Sequence, residues 1–372
     1  MSAPVQVSGV LDVTAKGFGF LRSAARGFAA DPTDPYVGQN LIRKYSIKTG
    51  MFIEGSGGRK NGNQPNVAVE SIQTVDGHPP ATVAARQPFT KLTVIDPCEK
   101  LTLETGREPL TTRVIDLFTP IGKGQRALIV SPPKAGKTTL LEHIAQGIKA
   151  NHPTVHVMVF LIDERPEEVT QFRRMVGGEV VATSFDAPLN EQLRLSELTL
   201  QRVTRLVEAG HDVALIVDSL TRMGRAFNKA TATKGKTLSG GVAAEALQFP
   251  RKFFGAARKI EHGGSLTIIA TCLIDTGSRM DEVIFQEFKG TGNTEIVLDR
   301  SLAEERVYPA VNLGLSGTRK EEKLQTPADL RKIWTLARAL AKDKGFQKYK
   351  AMLDRMTQTN SNKDFLAAVP EM

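Results

Sequence analysis

The sequence predicts an α/β domain preceded by a small all-β module. Up to about Val75, short alternating stretches are broken by Gly, Pro, Asn and Asp, which is typical of a small barrel. After Thr111, continuous apolar runs predict strands that are buried on both faces and therefore form a parallel sheet: 127–130, 157–162, 213–217 and 266–270. Helical segments separate these runs, one with an apolar face from Leu140 to Ile148 and one from Asn190 to Gly210. The order is therefore βαβα.

Changes in residue pattern divide the chain into two domains. We assign residues 1–76 to the barrel, 77–93 to a linker and 94–372 to the α/β domain. The linker contains the stiff pair Pro79-Pro80, and the apolar alternation lapses there.

Composition narrows the classes of partner and location. Lys and Arg number 49 against 40 Asp and Glu, a net charge of +9, which favours polyanionic partners without identifying one. Cys98 and Cys272 lack the spacing of a zinc site or a disulfide framework. No stretch approaches the roughly 20 apolar residues of a membrane span, and the N-terminus lacks the pattern of a signal peptide. We expect a cytoplasmic protein without a membrane partner.

A phosphate-binding loop lies between the first apolar run and the helix after it. In residues 131–138, backbone N–H groups at the start of a helix can hold phosphates, Lys137 can reach the β- and γ-phosphates, and the Thr138 hydroxyl can bind Mg²⁺. Ser131 replaces the usual first glycine of the pattern. A second Gly-Lys-Thr tripeptide at 235–237 follows no apolar strand, and we reject it as a nucleotide site. The predicted cofactors are ATP and Mg²⁺.

Two carboxylates follow the next apolar runs. Glu164 comes just after one run and could orient the attacking water, although it could also belong to the acidic first turn of a helix. Asp218 directly follows another run and could hold the metal through water, or else cap a turn. Transition-state charge also requires an arginine, and Arg300, Arg306 and Arg319 all remain candidates on sequence grounds.

The N-terminal module contains a predicted surface for unpaired bases. Alternation places four side chains on one face of a strand, opposite glycines: Lys16, Phe18, Phe20 and Arg22. We interpret the two rings and flanking cations as an exposed stacking platform rather than a core. Tyr36, Arg43 and Lys44 could extend this surface, and the loop with Lys236 could contact a threaded strand.

Seven motifs together resemble the bacterial transcription termination factor Rho family. They cover most of the chain and are residues 17–22, 122–126, 132–138, 161–169, 253–258, 274–278 and 316–322. The resemblance implies a cold-shock-like OB fold joined to a RecA-like P-loop ATPase. It also implies a homohexameric ring that binds pyrimidine-rich single-stranded RNA, translocates 5′ to 3′ with ATP, and releases transcripts from RNA polymerase.

The same resemblance implies site residues. Arg306 and Arg319 resemble arginines that act on a neighbour's ATP, Tyr308 matches the adenine-stacking position, and Lys236 and Arg279 fall in loops resembling those of the RNA channel. The remaining implied nucleotide contacts are Gly122, Lys123, Gly124, Gln125, Arg126, Ala127, Lys134, Ala135, Gly136, Thr139 and Arg165.

Three departures from the family pattern leave questions open. Arg279 stands where the family has lysine, and residues 61–69 lack a basic-aromatic cluster, so the base preference is not fixed. The chain begins almost at the barrel, which leaves a shortened form or a fragment open. Two other functions also remain: another RecA-class ring ATPase, and an RNA-binding regulator with a vestigial nucleotide site.

Overall fold

The N-terminal residues form a closed five-stranded barrel. The computed structural model describes residues 4–59, 66–184, 187–231, 239–243, 245–341 and 346–369. The barrel order is β1-β2-β3-β5-β4, and a short helix α1 (Gln39–Tyr45) connects β3 to β4. Its strands are β1 (Val5–Val13), β2 (Gly19–Arg22), β3 (Tyr36–Val37), β4 (Phe52–Gly58) and β5 (Ala68–Val75).

Glycines allow two barrel strands to approach closely. A side chain at Gly55 or Gly57 of β4 would begin 2.1 Å or 2.0 Å from a backbone oxygen of the β5 side, and the register shifts next to each glycine. Such irregularities bend a strand and increase its twist, which closing a small barrel requires. Apolar side chains fill the interior, among them Leu11, Leu21 and Ile53.

The α/β domain is built on a predominantly parallel sheet. The parallel order is β13-β7-β12-β10-β8-β9, with β14 (Gly317–Thr318) antiparallel at the β13 edge. β11 (Arg258–Ile260) pairs antiparallel with both β12 and β6 (Val94–Ile95). The predicted apolar runs lie in four central strands. The parallel strands are β7 (Arg126–Ser131), β8 (His156–Glu164), β9 (Glu179–Ser184), β10 (Asp212–Asp218), β12 (Ser265–Leu273) and β13 (Thr294–Val297).

Helices cover both faces of this sheet. One apolar cluster includes the predicted stripe of α3, from Leu140 to Ile148, and the opposite face packs against α5 to α8. The helices are α2 (Leu110–Phe118), α3 (Lys137–Asn151), α4 (Pro166–Val176), α5 (Leu189–Glu208), α6 (Leu220–Thr231), α7 (Gln248–Gly255), α8 (Arg279–Lys289), α9 (Arg300–Glu304), α10 (Pro327–Ala341), α11 (Gln347–Thr357) and α12 (Asn362–Ala367). None of the helices in the described ranges is long and apolar enough to cross a membrane.

Two ion pairs, one buried and one partly exposed, join the barrel to the α/β domain. Arg202 of α5 lies 2.9 Å from Asp76, which follows β5, and 2.9 Å from Glu179 of β9. Arg194 of α5 lies 2.9 Å from Asp12 of β1. Removing one partner of a buried pair leaves an uncompensated charge and costs about 3–5 kcal/mol. These pairs therefore fix the orientation of the barrel on the sheet.

Candidate nucleotide and RNA sites

The phosphate loop has the backbone that its sequence predicts. β7 ends at Ser131 and α3 begins at Lys137, and both Lys134 (φ 65°) and Gly136 (φ 88°) have left-handed conformations. Ser131 is extended and fully buried, and its Oγ donates to the carbonyl oxygen of Pro132 at 2.9 Å. Because no left-handed conformation is needed at this position, serine can replace the usual glycine.

Three predicted catalytic side chains meet at the C-terminal edge of the sheet. Lys137 Nζ donates to Asp218 Oδ2 and lies 3.6 Å from Glu164 Oε1. Both carboxylates are buried, at 2% exposure for Glu164 and 1% for Asp218. Asp218 Oδ1 accepts a hydrogen bond of 2.9 Å from Thr271 Oγ1. The ammonium group thus lies where two buried negative charges require a cation.

A β-bulge turns Glu164 toward this cluster. Ile162 pairs with Thr183 and Glu164 with Ser184, so Asp163 is an extra residue in β8. Asp163 has φ 58°, and its N–H donates to Thr183 Oγ1 at 3.0 Å. Ile162 packs into the core on the face away from α3, and regular alternation would place Glu164 on that same face. The bulge interrupts this alternation, and the Glu164 carboxylate lies at the strand end between Lys137 of α3 and Arg222 of α6.

Glu164 keeps one buried oxygen without a hydrogen-bond donor. Arg222 Nη1 forms an ion pair with Glu164 Oε1 at 2.9 Å, but its N–H groups do not point at this oxygen, and it donates to the carbonyl oxygen of Asp163. Consequently Oε1 accepts no hydrogen bond from any described residue. Burial raises the pKa of Glu164, the charge of Asp218 raises it further, and Lys137 and Arg222 oppose both effects. The free oxygen can accept a hydrogen bond from a water molecule.

Sequence reasoning missed Arg222 and Thr271. Arg222 lies in the first turn of α6, four residues after Asp218. Thr271 lies on β12, one residue beyond the pair formed by Val217 and Ala270. The register between β10 and β12 would have placed Thr271 beside Asp218, but a single sequence does not reveal which strands are neighbours.

The residues around Lys137 fit a magnesium ion held mainly by substrate and water. Thr138 is half-buried in the first turn of α3. The described residues contain no cluster of three or more His, Cys, Asp or Glu that could bind a metal. Magnesium commonly keeps several waters and uses one or two protein oxygens plus phosphates. Thr138 as a direct ligand and Asp218 through water therefore remain a reasonable prediction.

An exposed aromatic ring lies next to the phosphate loop. Tyr308 is 48% exposed, and its ring carbons lie 3.5 Å and 3.7 Å from the point where a side chain at Gly136 would begin. This placement agrees with the predicted adenine-stacking role. Arg165 and Arg306 are exposed just before α4 and just after α9, and neither arginine forms an ion pair with a described residue. Thr139 is exposed in the first turn of α3.

The nucleotide contacts implied before β7 lie far from the phosphate loop of their own chain. Lys123 Nζ lies 2.7 Å from Asp212, which begins β10, whereas Asp218 at the phosphate loop ends that strand. β7 separates the two places by about 16 Å, because its six residues make five steps of ~3.3 Å. The residues concerned are Gly122, Lys123, Gly124, Gln125, Arg126 and Ala127. They lie at the N-terminal edge of the sheet.

Arg319 lies at this same N-terminal edge. It follows β14, and its backbone N–H donates to the carbonyl oxygen of Asn293 at 2.8 Å. The next residue, Thr294, pairs with Ala127 near the start of β7. Arg319 is exposed and forms no ion pair within the described ranges. It cannot reach the phosphate loop of its own chain.

Three aromatic rings form a platform on the barrel. The ring centroid of Phe18 lies 5.8 Å from that of Phe20 and 5.5 Å from that of Tyr36, and the Phe20 and Tyr36 centroids are 6.0 Å apart. Tyr36 pairs with Phe20 across β2 and β3 and is exposed, while the two phenylalanines are half-buried. The geometry favours the predicted stacking surface over a core.

One of the cations predicted to lie exposed around the platform, Arg22, is buried. Arg22 is only 9% exposed and forms ion pairs with Asp12 at 3.0 Å and Asp34 at 2.8 Å. Its guanidinium carbon lies 5.1 Å from the centre of the Phe20 ring. The expectation of an exposed Arg22 is therefore wrong, because its charge is used to support the platform from within. By contrast, the predicted cations Lys16, Arg43 and Lys44 are exposed.

Arg279 is exposed at the start of α8, at the C-terminal edge of the sheet. A side chain at Gly240 would begin 2.9 Å from the carbonyl oxygen of Arg279, so residues 239–241 pack against this helix. Lys236, the other predicted channel residue, lies outside the described residues. Residues 61–65 of the stretch linked to base preference also lie outside them.

Comparisons with known proteins match both domains. Residues 7–81 match the RNA-binding domain of the Rho termination factor, and residues 111–318 match the nucleotide-binding domain of the ATP synthase alpha/beta family. Transcription termination factor Rho of Chromobacterium violaceum is 47% identical over 360 residues, which cover 96% of this chain and 86% of that protein. The Rho protein of Aquifex aeolicus is 47% identical over 369 residues, 98% of this chain and 85% of that protein.

The chain belongs to the transcription termination factor Rho family. Family membership confirms the predicted fold class and the predicted class of enzyme, an RNA-binding ATPase. An ATPase from the type III secretion system of pathogenic bacteria has the same fold, with a TM-score of 0.63 at 23% identity over 75% of this chain and 86% of the other. The RNA-binding match distinguishes this Rho-family chain from other ring ATPases of the RecA class.

Proposed function

We propose that this chain is an ATP-driven RNA translocase that terminates transcription. It binds nascent single-stranded RNA, moves 5′ to 3′ on it and releases the transcript from RNA polymerase. It acts in the bacterial cytoplasm as a ring of six identical subunits and uses ATP with Mg²⁺. The names of its relatives, transcription termination factors, support the process, and the two matched domains support the RNA and ATP requirements.

The observation that carries the hydrolytic proposal is the buried oxygen Oε1 of Glu164, which lacks a hydrogen-bond donor. Oε1 lies 2.9 Å from Arg222 Nη1 and 3.6 Å from Lys137 Nζ, but it accepts no hydrogen bond from a described residue. A water molecule bound there would be polarised by a carboxylate next to the γ-phosphate. Burial raises the pKa of Glu164, which makes it a stronger base than an exposed glutamate while it remains ionised.

Lys137 exchanges partners when ATP enters. Its ammonium group is held by Asp218 in this structure, and the phosphates of ATP offer a stronger negative charge at the start of α3. Moving to the phosphates frees Asp218 Oδ2 to hold metal-bound water. Mg²⁺, when bound, neutralises charge that develops on the phosphates.

The position of Arg319 supports action between subunits. Since it lies at the edge of the sheet opposite its own phosphate loop, Arg319 can stabilise the transition state only at the nucleotide site of a neighbouring chain. Closed rings of identical subunits place one face of each subunit against the opposite face of the next. Such a ring would complete every nucleotide site with Arg319 of the adjacent subunit.

The experiment that tests the hydrolytic assignment is a steady-state ATPase assay with single-stranded RNA. Glu164→Gln should lower kcat by roughly 10²–10⁴-fold, the usual contribution of a general base, while ATP binding is retained. Lys137→Ala should lose both turnover and tight ATP binding. Glu167→Gln is the matched control, because Glu167 is an exposed residue three positions further along in the first turn of α4. Full turnover in Glu164→Gln would remove Glu164 from the mechanism.

A further inference from the structure

The β-bulge before Glu164 leaves two backbone groups outside the strand ladder. An extra residue in a strand has no partner across the ladder, so its N–H and carbonyl groups need other hydrogen-bond partners. In β8 this residue is Asp163, which lies between the paired residues Ile162 and Glu164. Its φ of 58° is a left-handed conformation that side chains generally disfavour. The bulge therefore persists only where neighbouring groups hold it.

Side chains from two different elements hold these backbone groups. The Asp163 N–H donates to Thr183 Oγ1 of β9 at 3.0 Å, and the carbonyl oxygen of Asp163 accepts from Arg222 Nη1 of α6. The same guanidinium lies 2.9 Å from Glu164 Oε1. Thr183 is 1% exposed, so bulk water does not compete for its hydroxyl. Thr183 and Arg222 thus fix the backbone on either side of the Asp163 Cα.

The position of Glu164, the last residue of β8, depends on this bulge. A one-residue change of register moves the following side chains to the other face of a strand. Ile162 packs into the core, and regular alternation would place Glu164 on that same face. With the bulge, the Glu164 carboxylate lies 3.6 Å from Lys137 Nζ. A general base must lie within hydrogen-bond reach of the water that it activates, so a backbone shift at this point should reduce activity.

We propose that Thr183 is a positioning residue for ATP hydrolysis: its hydroxyl holds the bulge that keeps the Glu164 carboxylate beside Lys137. This role rests on the proposed function of Glu164 as the general base. Threonine suits the position because its β-branched side chain fits a buried strand, and its hydroxyl oxygen supplies the acceptor that the Asp163 N–H requires. Valine has nearly the same shape and lacks the acceptor.

Thr183→Val separates positioning of the base from ATP binding. Steady-state ATPase with single-stranded RNA should show kcat lowered by about 10²-fold, the loss that a misplacement of about 1 Å can cause. The KM for ATP should change little, because the phosphate loop is unaltered. Thr183→Ser keeps the hydroxyl and should retain most of the wild-type kcat. Thr199→Val is the matched control, because Thr199 is a fully buried threonine of α5 whose Oγ1 has no hydrogen-bond partner among the described residues.

Two double variants test whether the effect passes through Glu164. If Thr183 acts only on the base, adding Thr183→Val to Glu164→Gln should not lower the residual single-turnover rate further. Adding Asp163→Gly to Thr183→Val should restore part of the lost kcat, since glycine adopts the left-handed conformation without steric cost. A threonine that only stabilised the fold would lower the rate equally in the presence and absence of the Glu164 carboxylate.

Three results would overturn the role of Thr183. They are wild-type kcat in Thr183→Val, a loss of ATP binding as large as the loss of kcat, and an undiminished effect of Thr183→Val in the Glu164→Gln background. If thermal unfolding shows that Thr183→Val does not fold, Thr183→Cys is compared with Thr183→Ser, because a thiol is a weaker acceptor than a hydroxyl. Equal kcat in these two variants would then overturn it. Wild-type turnover in Glu164→Gln would instead remove the proposed base, so the two failures are distinguishable.

Discussion

The two edges of the large sheet differ in how their charges are compensated. In the buried cluster at the C-terminal edge, Lys137 lies against Asp218, and Arg222 lies 2.9 Å from Glu164, so these four charges neutralise one another within the chain. At the N-terminal edge, Arg126 and Arg258 have no carboxylate partner among the described residues, and Arg319 is exposed. One edge holds a nearly complete hydrolytic site. The other holds three arginines that form no ion pair with a described residue.

This difference indicates where the chain depends on a partner. A paired charge in a buried place maintains geometry, and an unpaired charge is available to a ligand or to another subunit. The barrel follows the same rule: Arg22 is paired with Asp34 and supports a ring, while Lys16 is exposed. Substitutions should therefore divide into those that alter structure and those that alter ligand binding or catalysis.

The largest effect should come from Arg319. Arg319→Ala should lower RNA-stimulated kcat by about 10³–10⁵-fold, the range for an arginine that stabilises phosphoryl transfer. Mixing this variant with Lys137→Ala should restore activity, because some interfaces then combine an intact phosphate loop with an intact arginine from the neighbour. Steady-state ATPase of the two variants alone and mixed provides the measurement.

The mixing experiment distinguishes action within a chain from action between chains. If Arg319 served its own nucleotide, no combination of the two inactive variants could regain turnover, and the contrast between the edges would lose its functional meaning. Arg331→Ala, from the exposed face of α10, should behave like the unsubstituted protein in every mixture.

The next largest effect should be on stability, and it comes from the buried carboxyl group of Asp116. Asp116 of α2 accepts hydrogen bonds at Oδ2 from the backbone N–H groups of Leu103 and Glu104, at 2.9 Å and 2.8 Å. Oδ1 has no partner in the described ranges, and burial raises the pKa of Asp116 to about 6. Because this folded pKa exceeds the unfolded one, the stabilising effect of the protonated group is full below about pH 4 and is lost as pH rises through about 6.

Asp116→Asn should remove this pH dependence. The amide keeps an oxygen for the two N–H groups but cannot ionise, so the decline of unfolding free energy between about pH 4 and 6.5, at most about 3 kcal/mol, should shrink in the variant. Urea unfolding at several pH values measures how the unfolding free energy changes with pH. Glu322→Gln, an exposed acid, is the control. Parallel pH curves for wild type and Asp116→Asn would show that Asp116 is ionised throughout.

Sequence pattern was most informative where the chain is locally regular. The apolar runs predicted four central strands, and the setting of Lys137 between a strand and a helix placed the phosphate loop correctly. Alternation also placed Phe18 and Phe20 together. These features depend only on residues close to one another in sequence.

Features that depend on strand order or on three-dimensional pairing were missed. The bulge at Asp163 has no motif, yet it decides which way Glu164 points. Residues 122–127 precede the phosphate loop closely in sequence, but an intervening strand carries them to the opposite edge. Arg22 follows the alternation of a surface cation, and only the position of Asp34 across the fold shows that it is buried.

The smallest effect should come from single rings of the barrel platform. Phe18→Ala should weaken binding of a short single-stranded RNA by about 1–3 kcal/mol, the usual value of one stacked base. Tyr36→Ala should act similarly, and Tyr36→Phe should bind normally because the ring remains. Fluorescence anisotropy at fixed salt measures these affinities. Unchanged binding after loss of both Phe18 and Tyr36 would mean that RNA contacts another surface.

The cations beside these rings test the distinction between paired and unpaired charge. Lys16→Gln should reduce the slope of log affinity against log salt by about 0.7, the contribution of one phosphate contact on a single strand, without altering stability. Arg22→Gln should instead lower the unfolding temperature, because the buried Asp34 would lose its buried partner and keep only the more exposed Arg26. If both variants changed the salt slope equally and neither lost stability, pairing within the chain would not separate structural from ligand-binding cations.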